Sequence, residues 1–221
     1  FSKENRWANF YAFGAGWIMT EEDFMKDLEW LNMLKLRGSY GITGNTAVSN
    51  SMTYLSWGLD TNKVFGVDYL HGATTVGPMG SKDLKWETTA NLDLGFDFGV
   101  LNNRINGSFA YYTQKVSDLI LLGNVQPSIG FDKNQIYENV GDLKNWGVEF
   151  NVSSVNIENK NFTWKTDFNI STNKNKILTL NVAEQGKGKE ESTSIRKEGE
   201  AINTYYLANN VGVDSERGIY M

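Results

Sequence analysis

The stretch 86–98 places its large apolar side chains at even positions and its charged side chains at odd positions. A β-strand directs successive side chains to opposite faces, so this period of two predicts a strand with one apolar face and one wet, partly charged face. The chain then turns at 101–104, where asparagine tolerates a positive φ. It resumes the alternation through Phe109 and Tyr111. The whole segment is therefore predicted to be a β-hairpin.

Each arm of this hairpin is about a dozen residues long, whereas strands of soluble proteins usually have about five or six. Strands that cross a membrane in a β-barrel need about ten tilted residues. The length therefore favours a transmembrane barrel, whose apolar face meets lipid and whose wet face lines a lumen.

The same alternation recurs along the chain and predicts six or seven strands of an all-β, antiparallel barrel. Further strands are expected at 6–18, 33–44, 141–153, 162–171 and, as a seventh, 201–213. Membrane-spanning barrels usually need at least eight strands to close. Residues 1–221 are therefore expected to be part of a larger barrel domain.

The predicted connections alternate between short and long. Short ones are expected at 19–32, as a helical connection, and at 101–104 and 156–161. Long loops are expected near 45–84, 115–140 and 175–200. Outer-membrane barrels have short periplasmic turns and longer extracellular loops, so the long loops are predicted to be extracellular.

The alternation divides the candidate site residues into two sets. Charged residues that share the wet face are expected to line the lumen: Lys35, Arg37, Glu87, Asp93, Asp97, Glu149, Lys165 and Asp167. Apolar and aromatic residues of the opposite parity are expected to face lipid or to form interfacial girdles: Trp86, Leu92, Leu94, Phe96, Phe98, Phe109, Trp146, Phe150, Trp164 and Phe168.

Each set has a plainer interpretation. The charges either guide substrate and hold a plug, or simply pair with each other across neighbouring strands. The tryptophans either sit at the membrane interface, where an indole is apolar with a polar N–H, or pack in an ordinary core. Tyr54, Trp57 and Tyr69 lie in the first long loop, where they stack on sugar rings or grip a peptide, or else pack the loop on itself.

Composition excludes several classes of protein. A net charge of −5 and a pI near 5.0 give no basic footprint for nucleic acid. No apolar run reaches the roughly 18 residues of a membrane helix, and a mean hydropathy of −0.41 is compatible with alternating strands. With one histidine and no cysteine, the chain shows no catalytic or metal-binding motif. We expect no enzyme and no cofactor.

Several motifs, in order, resemble the SusC/RagA-type TonB-dependent transporters of the outer membrane. The matching segments are GWIMTEEDFMK at 16–26, LNMLKLRGSYGITGN at 31–45, LKWET at 84–88, GFDF at 95–98, YY at 111–112, NVGDLKNWGVE at 139–149, NISTNKNKI at 169–177, GEA at 199–201 and GVD at 212–214.

The resemblance implies a barrel of twenty-two strands around an N-terminal plug, with neither the plug nor the final strands represented here. It implies an integral outer-membrane importer of an oligosaccharide or oligopeptide. Its expected partners are a SusD-like surface lipoprotein, outer-membrane lipid and the TonB–ExbB–ExbD complex acting through the plug. Two alternatives remain open: a passive porin-like or structural barrel, and a soluble glycan-binding β-sandwich or adhesin.

Overall fold

The structure is a computed structural model that describes residues 5–45, 57–64, 71–76, 81, 83–124, 135–180, 189–191, 193–209, 211–213 and 217. Two of the loop aromatics predicted to contact ligand, Tyr54 and Tyr69, lie outside the described residues. Trp57 begins a strand, but its side chain also lies outside the description.

Six antiparallel strands form the main sheet, in the order β1-β2-β5-β6-β7-β8. Each pairs with a neighbour in sequence, except that a separate hairpin of Trp57–Val64 (β3) and His71–Val76 (β4) intervenes between β2 and β5. The six strands span Tyr11–Ile18, Leu31–Asn45, Glu87–Val100, Ile105–Asn124, Gln135–Glu158 and Thr163–Leu180. This sheet agrees with the predicted all-β, antiparallel fold class.

Five of the six strands are long, from 14 residues in β5 to 24 in β7. The described part of the chain contains no α-helix, and no helix in it has the length and apolar character needed to cross a membrane. The segment 19–25, predicted as a helical connection, forms two three-residue 3-10 helices, Met19–Glu21 and Asp23–Met25. Their hydrogen bonds span three residues, because the chain reverses before a full α-turn can be repeated.

The tight turns lie at one end of the sheet, which we call the short-turn end. Leu101, Asn102 and Asn103 have φ values of 54°, 57° and 60°, which confirms the turn predicted there. The β7–β8 turn is held by Asn159, whose Oδ1 accepts hydrogen bonds from the backbone N–H of Asn161 at 3.1 Å and of Phe162 at 2.8 Å. Asparagine suits such turns because its side chain mimics a backbone acceptor.

At the opposite, long-connection end, strand pairing extends into the predicted loops. The predicted loop near 115–140 is narrower than expected, because β6 continues to Asn124 and β7 begins at Gln135. Asp118, with φ 58°, lies at a register shift between Val116 and Leu119. Such a bulge changes the parity of the strand, so the period-two pattern could not be followed across it.

The other two predicted loops also contain strands. Trp57–Val64 (β3) pairs with His71–Val76 (β4) inside 45–84. Three short strands, β9, β10 and β11, form a separate sheet and span Lys189–Glu191, Ser194–Arg196 and Thr204–Tyr205. The seventh strand predicted over 201–213 is thus the two-residue β11, outside the main sheet.

Few large apolar side chains of the described residues are buried, and most of them cluster near the long-connection end. Leu84 is 1% exposed, and the other buried apolar residues there are Val140, Ile177, Leu180 and Ile195. Within the middle of the sheet the buried apolar residue is the small Ala110. Among the described residues the sheet is therefore a single layer.

Candidate functional site: the two faces of the sheet

The strand register assigns every side chain of the sheet to one of two faces, because directly opposed residues share a face. On the first, which we call the apolar face, one unbroken row crosses all six strands: Trp17, Leu36, Phe96, Phe109, Phe150 and Ile170. Phe96 stacks on Phe109 with 5.6 Å between ring centroids. The ten predicted lipid-facing positions lie on this face or, for Trp86, at its margin, where the indole contacts Phe10 with 5.5 Å between centroids.

The opposite, polar face carries the eight charged residues that were predicted to line a lumen. They belong to four strands and share this face by register: Lys35, Arg37, Glu87, Asp93, Asp97, Glu149, Lys165 and Asp167. That the face borders a lumen stays a prediction.

An ion-pair cluster joins β2 to β5 on the polar face. Arg37 Nη1 lies 2.9 Å from Asp93 Oδ1, and its Nε lies 3.6 Å from Asp97 Oδ1. Gly95 lies opposite Arg37, and a Cβ there would approach Arg37 Cζ to 2.9 Å and Phe109 O to 2.7 Å. The glycine therefore leaves room for the guanidinium to lie across the strand between the two carboxylates.

A row of amide side chains continues the polar face across β5, β6 and β7. Gln114 Nε2 donates to Asn91 Oδ1 at 3.1 Å, and Asn145 Nδ2 donates to Gln114 Oε1 at 3.3 Å. The row ends at Asn175, whose Oδ1 accepts from the Ile202 N–H at 2.7 Å. An amide both donates and accepts, so neighbouring amides satisfy each other along the row.

Tyr112 adds a third polar contact that spans a strand. Asn173 Nδ2 of β8 donates to the Tyr112 hydroxyl of β6 at 3.0 Å. Gly147 of β7 lies between them, and a Cβ on it would lie 2.6 Å from the hydroxyl and overlap Thr172 O. Its hydrogen side chain allows the ring to cross β7.

Polar contacts near the long-connection end fix the start of β5 against its neighbours. Asn45 Nδ2 donates to Glu87 Oε2 at 2.8 Å, and the Ile120 N–H donates to Glu87 Oε1 at 2.8 Å. Asn139 accepts from the Lys85 N–H at 2.8 Å and donates to Asp118 O at 2.7 Å. Glu87 and Asn139 together hold β5 to the bulged part of β6.

The predicted charged residues thus fall into two groups. Five are paired with each other or with neutral partners, the fifth being Asp167, which accepts from Ser153 Oγ at 2.5 Å. Lys35, Glu149 and Lys165 form no hydrogen bond or ion pair with any other described side chain. Cross-strand pairing therefore accounts for the first group and leaves the second available to other groups.

Two predicted girdle tryptophans lie at different heights on the apolar face. Trp146 is opposed by Lys174, and Trp164, the second residue of β8, lies opposite Ile157. The ten positions from 164 to 174 correspond to about 33 Å along the strand, or about 25 Å perpendicular to a membrane at a 40° tilt. This is the height of the apolar band of an outer-membrane barrel.

The sequence analysis did not predict the amide row, the hydrogen bond between Tyr112 and Asn173, or the hydrogen bonds of Asn139 to Lys85 and Asp118. The amides share the polar parity, so the alternation could have placed them on that face. Their mutual contacts depend on the register, which no local pattern encodes. Among the described residues, no group of three or more histidine, aspartate or glutamate side chains could hold a metal ion.

Comparisons with known proteins agree with this geometry. Residues 1–195 match the family described as TonB dependent receptor-like, beta-barrel. TonB-dependent receptor P3 of Formosa agariphila is 38% identical over 220 residues, which cover 96% of this chain and 22% of that protein. TonB-dependent receptor SusC of Bacteroides thetaiotaomicron is 34% identical over 227 residues, with the same coverage of 96% and 22%. The chain thus spans about a fifth of the length of these relatives.

A solved structure gives the same fold. The RagAB peptide importer in its closed-closed state matches 100% of this chain and 23% of its own, with a TM-score of 0.85 and 26% identity. The soluble β-sandwich alternative is wrong, because these matches assign the strands to a barrel wall. The family is one of receptors and transporters rather than enzymes, and its barrels are outer-membrane proteins. This chain belongs to the TonB-dependent receptors of SusC/RagA type and forms a segment of their β-barrel.

Proposed function

We propose that this chain is part of the wall of an integral outer-membrane transporter that actively imports an oligosaccharide or an oligopeptide. The observation that carries the proposal is the sheet with one apolar and one polar, self-paired face, in a chain whose family is that of TonB-dependent receptors. The apolar face meets lipid and the polar face borders a hydrated lumen.

Two features of the faces support this placement. The apolar face exposes large side chains that water alone would not favour, such as Leu94 at 47% and Ile170 at 54%. The polar face satisfies many of its own groups across strands, which keeps the wall rigid while it stays hydrated. A substrate that is too large for a passive pore requires a rigid wall of this kind around a plug that can move.

The three charged residues without a described partner are proposed to contact what the lumen contains. Lys35, Glu149 and Lys165 are free of cross-strand pairing, so their charges are available to a plug surface or to a passing substrate. The plug would connect the wall to TonB–ExbB–ExbD, and a SusD-like lipoprotein would close the extracellular side.

Uptake measurements on cells that carry the full-length protein test the proposal. Labelled oligosaccharide and oligopeptide mixtures are supplied to wild-type and deletion strains, with and without a protonophore. We expect uptake of one class to disappear on deletion and on loss of the proton gradient. Uptake that survives the protonophore would instead identify a passive porin-like barrel.

Copurification tests the proposed partner. The full-length protein is extracted from outer membranes in mild detergent, and the proteins that remain bound are identified by mass spectrometry. We expect a surface lipoprotein in stoichiometric amount. Recovery of the barrel alone, in an extract where other known complexes stay intact, would contradict the proposed lipoprotein partner.

A further inference from the structure

Four lysines interrupt the apolar face within two adjacent rows. Lys115, Lys144 and Lys176 oppose one another in register across β6, β7 and β8, and Lys174 lies one row nearer the short-turn end, opposite Trp146. We call these four the lysine cluster. Like charges directly opposite each other destabilise a sheet, so the arrangement is favourable only with a nearby anion.

The described residues supply little of that negative charge. Lys115 Nζ lies 3.9 Å from Asp142 Oδ2, and Lys144 Nζ lies 5.6 Å from the centroid of the Trp146 ring. Lys144, Lys174 and Lys176 form no ion pair with a described residue. Among the described residues, one carboxylate therefore pairs with the four ammonium groups, and the cluster keeps a net positive charge.

The height of the cluster indicates its surroundings. If the strands tilt by about 40°, Lys174 lies about 25 Å above Trp164 and the row of the other three lysines lies about 30 Å above it. The cluster is therefore just beyond the apolar band on the long-connection side. Trp146, an interfacial residue type, lies level with Lys174. In the proposed membrane placement, this is the headgroup level of the outer leaflet.

A groove on the same face lies nearer the short-turn end. Its volume is about 540 Å³. One row of its lining crosses four strands, with the small residues Ala15 and Gly38 on one side of Leu94 and Tyr111 on the other. Leu94 and Tyr111 oppose each other, and Tyr111 lies on β6, four positions before Lys115. An elongated apolar chain can therefore extend from the lysine cluster toward the groove.

We propose that the lysine cluster binds the phosphate group of an outer-leaflet lipid, whose acyl chains lie on the apolar face below it. A lipid is favoured over a soluble anion because positive charge and apolar surface are continuous on one face. The inference rests on the proposed placement of this face in the membrane. It adds a fixed lipid site on the outside of the wall, separate from any substrate path.

Native mass spectrometry of the full-length protein, extracted from outer membranes in mild detergent, tests the site. The double variant Lys144→Gln with Lys176→Gln is compared with Lys26→Gln and Lys160→Gln, which remove two exposed lysines at the short-turn end. Each lysine near an anionic surface contributes about fivefold to binding, so we expect about 25-fold weaker retention of phosphorylated lipid in the first variant. The control should retain the wild-type amount.

Two further arms identify the ligand. Added lipid should bind the delipidated wild-type protein only when it carries its phosphate, and millimolar inorganic phosphate should not displace it. Equal retention by both double variants, or displacement by inorganic phosphate, would overturn the proposal.

Active uptake by the first variant separates this inference from the proposed function. If the variant still imports its nutrient but keeps its lipid, only the lipid site fails. If the wild-type protein is recovered without detergent, the membrane placement fails and the lipid site with it.

Discussion

The two faces of the sheet obtain their stability from different sources. On the polar face, side chains satisfy one another through ion pairs and amide contacts between strands. On the apolar face, large side chains such as Phe168 at 52% exposure remain uncovered by the described residues. The stability of the polar face therefore depends on strand register, whereas that of the apolar face depends on what surrounds it. The same kind of substitution should have different effects on the two faces.

The largest expected effect comes from placing a charge on the apolar face. Ile170→Arg puts a guanidinium into the central apolar row, about midway between Trp164 and Lys174. We expect it to lower the free energy of unfolding by about 2–4 kcal/mol, the cost of arginine at the middle of a bilayer. The full-length protein in lipid vesicles, unfolded with guanidinium chloride, provides the measurement.

Ser171→Arg is the matched control for that substitution. It introduces the same group one residue later on the same strand, on the polar face. If both variants lose the same stability, the assignment of the two faces to lipid and water is wrong.

The next effect concerns close packing on the polar face. Gly147→Ala places a Cβ in overlap with the Thr172 carbonyl and 2.6 Å from the Tyr112 hydroxyl. The strands must separate or the ring must move, so we expect a loss of about 1–3 kcal/mol. Denaturant unfolding of the full-length protein measures it.

Gly14→Ala serves as the comparison on the same face. The nearest atoms to a Cβ there are 3.8 Å away, an ordinary contact. We expect it to be neutral or to stabilise by about 0.4–1 kcal/mol, because alanine restricts the unfolded chain. A destabilisation as large as that of Gly147→Ala would show that crowding is not the cause.

The smallest effect tests pairing. Arg37→Gln removes the cation between Asp93 and Asp97, whereas Lys35→Gln removes one without a described partner from the same strand and face. The Arg37 side chain is 35% exposed, so we expect a loss of only about 1 kcal/mol. Lys35→Gln should change stability by less than that. A larger loss from Lys35→Gln than from Arg37→Gln would contradict a stabilising role of the ion-pair cluster.

The same two variants sharpen the functional comparison when uptake is measured. If Lys35 contacts the plug or the substrate, Lys35→Gln should change the rate or the KM of import by several-fold while leaving stability unchanged. Arg37→Gln should act mainly through stability.

Much of the fold follows from local pattern, since alternation alone identified the six strands, their two faces and the turn at Leu101–Arg104. The bulge at Asp118 was not predicted, because it changes the alternation of side chains inside β6. The contact of Arg37 with Asp93 was not predicted either, because the two residues are 56 positions apart and no local pattern links them. The lysine cluster could have been predicted, since Lys144 and Lys174 share the parity of Trp146 and Phe168 in their strands.

The strand order also determines how the sheet can assemble. Three of its hairpins, β1–β2, β5–β6 and β7–β8, close through short turns, and loop closure of that length costs little entropy. The β2–β5 pairing must instead join residues 42 positions apart, as between Asn45 and Glu87. We expect it to be the slowest of these pairings to form. The Arg37 ion pairs and the Asn45–Glu87 hydrogen bond cross this one seam, so they select its register where no tight turn does.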